Sequence, residues 1–192
     1  MVDDAPTDAL LIEQTRAWVE SVIVKLNLCP FAGREVARNS IHYQVIRGDD
    51  PESCLHDLID ACIQLDEHPD IETSLLIFAD GFKYFYDFLD LDEIANTLMA
   101  EQGYEGVYQL ATFHPEYCFA DQEIDDPANY TNRSPYPMLH LLREASIEHV
   151  LEKTPEPELI PERNIELTRA RGLEAMRAML AACTQTKKSE HE

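Results

Sequence analysis

A chain of 192 residues with 15 basic and 37 acidic side chains carries a formal net charge of −22. Such a chain is repelled by phosphate backbones and anionic lipid surfaces, which sets nucleic acid and membranes aside as partners. Apolar residues make up 45% of it and the mean hydropathy is −0.31, the balance of a globular domain large enough to bury a core. The longest apolar runs, such as Leu75 to Ala79, are far too short for a bilayer. The acidic opening MVDDAPTDAL lacks the basic region and apolar stretch of a secretory leader. A single cytoplasmic domain is expected, with flexible tails at 1–7 and 184–192. The five cysteines form no C-x-x-C pair, so reduced thiols are expected rather than a disulfide framework.

In chain order, Asp8 suits the N-cap of a first helix reaching about Leu26, because Leu11, Thr15, Trp18, Val22 and Leu26 recur on one helical face. Asn27 fits the left-handed position after its last turn, and Pro30 ends it. Ile41 to Ile46 alternates as a first strand. Asp50-Pro51 is a helix start, and Leu55, Leu58, Ile59, Cys62 and Leu65 form the buried stripe of that helix. Ser74 to Phe78 is apolar enough for a central strand covered on both faces. A helix from Phe85 to about residue 101 and a third strand over Val107 to Phe113 follow. Helix is then expected from about Pro137 to Leu151, and a last helix from Pro161 to about Cys183.

This order predicts an α/β (or α+β) fold. Its sheet is three-stranded and largely parallel, built β-α-β-α-β, with one N-terminal and two C-terminal helices around it. Parallel crossovers place ligands near the carboxyl ends of the strands, and the third strand runs straight into His114.

Three stretches stand out from ordinary helix and strand: NLCPFA (27–32), TFHPEYCF (112–119) and NRSPYPMLHLLRE (132–144). With these the chain resembles the bacterial family known as domain of unknown function 1415, from Trp18 to the final helix. The resemblance implies a small cytosolic bacterial protein; it implies no activity, substrate or catalytic residue, so chemistry must come from the residues themselves.

A helix beginning near Pro137 would put His140 and Glu144 four apart on one face with Arg143 beside them. Asn132 or Ser134 could cap that helix, and its free N–H groups with Arg133 would receive a phosphate or carboxylate. The alternative is a capped helix whose His, Glu and Arg pair among themselves at the surface. His114 suits a general acid/base, since an ordinary imidazole titrates near neutrality, or else a strand-end histidine bonded to a backbone carbonyl. Cys29 and Cys118 are candidate nucleophiles, though neither sits in a local setting that activates a thiol, and the stretch around Cys29 better suits a helix C-cap with Leu28 and Phe31 in the core. A metal would draw on His114, Cys118, His140 and Glu144, without the repeated spacing of a structural zinc site. No Walker A loop, G-x-G-x-x-G or G-x-S-x-G occurs.

Two function classes follow. The first is a small-molecule enzyme acting on an anionic metabolite, with His114, His140 and Glu144 in acid/base roles and Asn132, Arg133, Ser134 and Arg143 as anchors. The second is a non-catalytic module for an anionic ligand or a protein. The catalytic class requires the polar loop from Asp121 to Thr131 to fold back, so that His114 meets the Asn132 to Glu144 segment; a His114 far from the arginines favours the binding module.

Overall fold

A computed structural model describes residues 5–185 of the chain. The N-terminal helix α1 (Asp8–Trp18) is capped by Thr7, whose hydroxyl accepts from the Leu10 amide, rather than by Asp8. It continues as a wider π-helical stretch, Val19–Val24, in which Lys25 N–H reaches back five residues to Glu20. Asn27 then takes the expected left-handed conformation at φ 52°. A short helix not anticipated from the sequence, α2 (Ala32–Arg38), begins on the last residue of NLCPFA and ends on a second left-handed asparagine, Asn39.

The expected alternation then appears: β1 (Ile41–Ile46), α3 (Pro51–Glu67), β2 (Thr73–Phe78), α4 (Phe85–Glu101) and β3 (Tyr108–Phe113). Asp50 caps α3 through the Ser53 amide at 2.9 Å, with Pro51 as its first residue. Every residue of β2 is buried.

The sheet itself differs from the expectation. It has four strands in the order β1-β2-β4-β3, and only β1 and β2 pair in parallel. The fourth strand, β4 (Met138–Arg143), lies antiparallel between β2 and β3. Because β4 opposes both neighbours, β1, β2 and β3 do run the same way, but β3 is not hydrogen-bonded to β2. The residues expected to open a helix after Pro137 are therefore strand, and helix α5 (Glu144–Leu151) starts only afterwards. Met-Leu-His-Leu-Leu is apolar at all but one position and satisfies either periodicity. The deciding factor is the slot between β2 and β3, whose backbone groups need partners on both sides. The expected last helix is two, α6 (Ile160–Arg171) and α7 (Leu173–Thr184), broken at Gly172 with φ +83°.

Both faces of the sheet are covered. Helices α3 and α4 bury Leu58, Cys62, Phe88 and Leu91 against Leu76, Phe78, Leu139 and Leu141. The opposite face carries Leu75, Ile77 and Met138 beneath Trp18, Val22, Tyr130 and Met176. Each such side chain contributes about 1.5–3 kcal/mol of transfer free energy. Of the expected tails, 1–4 and 186–192 lie outside the described residues. Thr184 is ordered by its carbonyl, which accepts from Gln14 at 2.8 Å.

Candidate functional site

Between the second face of the sheet and its helical cover lies a mostly apolar cavity of about 550 Å3. Its floor is Leu75, Ala111, Phe113, His140 and Leu142, which alternate onto one side of β2, β3 and β4. One wall is the π-helical stretch (Val19, Ile23) with the Leu28 to Ala32 motif; the other is α5 and the start of α6, through Ser146, Ile147, Leu151 and Ile160. The size falls within the roughly 300–1,000 Å3 of small-molecule sites.

The imidazole in this floor is oriented by its neighbours. His140 Nε2 lies 2.6 Å from Thr73 Oγ1 across the β2–β4 pair, and the same hydroxyl donates to the Leu141 carbonyl. His140 Nδ1 has no partner among the described residues. It is not sealed either, because Glu72 Oε1 is the one described side-chain polar atom both sealed and unpaired. Burial pushes the His140 pKa down to about 4, so the ring is neutral near pH 7. Phe113 packs on it with ring centroids 6.0 Å apart.

The cavity's other ionisable groups are mostly acidic or thiol. Glu35 is only 4% exposed, accepts from Ser40 Oγ at 2.6 Å, and is approached from outside by Arg34 and Arg38 at 3.4 and 3.7 Å. Glu72 and Cys29 also line the cavity. Burial raises the Cys29 thiol pKa, partly offset by the Phe31 and Ala32 amides, which favours a thiol over a thiolate nucleophile. Arg143 is the one basic lining residue among those described. Its guanidinium is turned through the sheet to the carboxyl end of α3, where it donates to the carbonyls of Leu65, His68 and Ile71 and lies over the Tyr108 ring.

The Asp121 to Thr131 loop folds back as expected: His114 N–H donates to the Asn132 carbonyl at 3.2 Å, and Asn132 Nδ2 donates to the Thr112 carbonyl at 3.2 Å. The chain halves meet, but His114 and His140 do not share a site. His114 is fully buried between Phe85 and Phe88 of α4. Its Nε2 donates to the Phe82 carbonyl and its Nδ1 accepts from the Glu116 amide, each at 2.9 Å. Neither nitrogen is left for a substrate. This is the strand-end reading of that histidine, and burial lowers its pKa as well.

Arg133 is likewise inward. Its Nε and Nη2 donate to the Tyr117 and Ile124 carbonyls at 3.0 and 2.8 Å, its guanidinium lies over the Tyr130 ring, and its own carbonyl accepts from the Trp18 indole. Asn129, absent from the expected set, completes the loop by bonding Phe119, Glu123 and Ile124. Ser134 Oγ donates to the Tyr136 carbonyl at 2.6 Å, and Cys118 Sγ sits against the Phe119 and Gln122 carbonyls. Glu144 opens α5, so it no longer stands one helical turn from His140.

Among the expected residues, the cavity wall thus gathers His140, Cys29, Asn132 and the Arg143 backbone region, while His114, Arg133, Ser134, Glu144 and Cys118 lie elsewhere. Thr73, Ala111, Glu35 and Glu72 were not anticipated. The one sequence signal for them was indirect: NLCPFA marks a rim, but pairing across β2 and β4 is invisible before the fold. Among the described residues no group of three or more His, Cys, Asp or Glu side chains is arranged to hold a metal ion. None of the described helices is long and apolar enough to cross a membrane.

Fold and site together define a mixed α/β protein with an apolar cavity on one face of its sheet. The chain belongs to the family described as Protein of unknown function (DUF1415), whose model matches residues 10–178. No match was found among the curated proteins or among the solved structures.

Proposed function

We propose that this protein binds a small, largely apolar molecule in the cavity between the π-helical stretch and α5, with His140 as its polar contact. The observation that carries the reading is the single oriented imidazole in an apolar space of about 550 Å3, its Nδ1 unpaired and open. An anionic metabolite, which Arg133 and Arg143 suggested from the sequence, finds less support. Both guanidiniums are engaged by backbone carbonyls. The five free thiols are in keeping with a reducing, cytosolic setting.

A second reading, catalysis by proton transfer at His140, is favoured by one feature. The Thr73 hydroxyl and the Leu141 carbonyl hold the ring from behind, as histidine bases are held in one tautomer and one orientation.

The test of the site is steric. Ala111 faces His140 across the β3–β4 pair on the cavity floor, so Ala111→Phe fills the space. The neutral dye Nile red, followed by fluorescence, is expected to bind the wild type at one equivalent and the variant hardly at all, with the melting temperature within roughly 5 °C. A well-folded variant that binds the dye as the wild type does would show the cavity is not the site.

A further inference from the structure

Building on the cavity reading, we propose that the ligand is an uncharged apolar molecule presenting an O–H or N–H donor to His140, and that carboxylates and phosphates are excluded. The available protons fix the tautomer of His140. The Leu141 carbonyl oxygen can only accept, and it shares the Thr73 hydroxyl with His140 Nε2. Thr73 has one hydroxyl proton, and two oxygens in contact require it between them. That proton therefore belongs to Leu141, and the Thr73 oxygen meets His140 as an acceptor. His140 Nε2 must then carry a hydrogen, so the neutral ring presents Nδ1 as a bare lone pair. This lone pair is on the one ring atom left without a partner, in a residue that lines the cavity, and it is not among the sealed atoms. A carbonyl, a carboxylate or an ether would meet it lone pair to lone pair; a hydroxyl or an N–H completes it.

The walls reinforce the choice. Glu35 and Glu72 contribute carboxylates, and the one basic lining residue has its guanidinium engaged at α3. An anion entering here would meet no free cation among the described lining residues, since Arg34 and Arg38 approach Glu35 from outside, and the apolar surroundings screen its charge poorly. Apolar floor residues such as Leu75, Phe113 and Leu142 accommodate the rest of the molecule.

The experiment compares three probes of one shape: naphthalene, 2-naphthol and 2-naphthoate, each competed against Nile red on the full chain. The expected order is 2-naphthol first, naphthalene about tenfold weaker for want of one hydrogen bond, and 2-naphthoate weakest. His140→Phe should bind naphthalene and lose the preference for the hydroxyl. Nitrogen-15 NMR of the wild type checks the tautomer without any variant, with Nδ1 expected to be unprotonated at pH 7. A proton on Nδ1, a preference for 2-naphthoate, or an undiminished hydroxyl preference in a folded His140→Phe would each overturn the proposal. If Nile red itself does not bind the wild type, the cavity reading falls and this inference falls with it. If the dye binds but the three probes rank otherwise, only the ligand chemistry is wrong.

Discussion

The two histidines that the sequence set side by side end up in opposite circumstances. His114 closes β3 on the α4 side, and both ring nitrogens are satisfied by the chain, at Phe82 and Glu116. His140 sits in the middle of β4 on the other face, with one nitrogen held by Thr73 and the other open to a cavity. Around His114, Arg133 and Asn129 also spend their polar atoms on loop carbonyls and amides. That region is a hub that holds an irregular loop by side-chain hydrogen bonds in place of a backbone ladder. The contrast shows that chemical richness alone does not mark a site. What separates the two regions is whether valences remain free once the chain has folded.

The largest effect should come from breaking the hub. Arg133→Met removes the side-chain donor to the Tyr117 carbonyl, one of the two donors to the Ile124 carbonyl, and the charge over Tyr130. Destabilisation of about 2–4 kcal/mol is expected, read from the urea midpoint at pH 7. His114→Phe keeps an aromatic ring between Phe85 and Phe88 but strands the Phe82 carbonyl and the Glu116 amide, for a loss of about 2–3 kcal/mol. A His114 variant as stable as wild type would put that residue back among the functional candidates.

An effect of similar size and the same origin appears on acidification. Burial lowers the pKa of His140 to about 4 and also lowers those of His114 and His42. The unfolded chain therefore binds more protons between the ordinary histidine pKa and these folded values, and stability rises with pH across that window. It is fully present above about pH 6.5 and is lost as the pH falls towards 4, with His140 contributing on the order of 3 kcal/mol. His140→Gln, which keeps a polar group near Thr73 but does not titrate, should flatten the slope of the urea midpoint between pH 7 and pH 5. An unchanged slope would mean that His140 titrates normally and that its wall is wetter than its packing indicates.

Much of this architecture could be read from residues. The β-α-β-α-β order, the Asp50-Pro51 start, the left-handed Asn27 and the buried β2 all follow from local chemistry acting within a few residues. The fate of Met138–Arg143 does not, because its pattern suits helix and strand alike and the choice is made by two strands far away in sequence. That ambiguity misplaced His140 relative to Glu144 and hid its neighbour Thr73, 67 residues away along the chain. The motif residues drew attention to the correct segment. Which of them face inward to hold the loop, and which face the cavity, depends on strand parity, and parity needs the register.

The finest distinction between the two regions is the orientation of His140, and Thr73 tests it. Thr73→Val removes the hydroxyl shared by His140 Nε2 and the Leu141 carbonyl, leaving the ring nitrogen without its partner while the carbonyl keeps its place in the strand ladder. The expected stability loss is about 1–2 kcal/mol, comparable to one lost hydrogen bond. Thr73→Ser retains the hydroxyl and loses only a methyl group, for a loss of about 1 kcal/mol. The informative readout is not stability but the imidazole tautomer followed by nitrogen-15 NMR. The serine variant should keep the hydrogen on Nε2, whereas in the valine variant both tautomers should be populated, because nothing behind the ring selects one. If valine leaves the tautomer unchanged, the ring is oriented by Phe113 and its packing, and the hydroxyl relay is incidental.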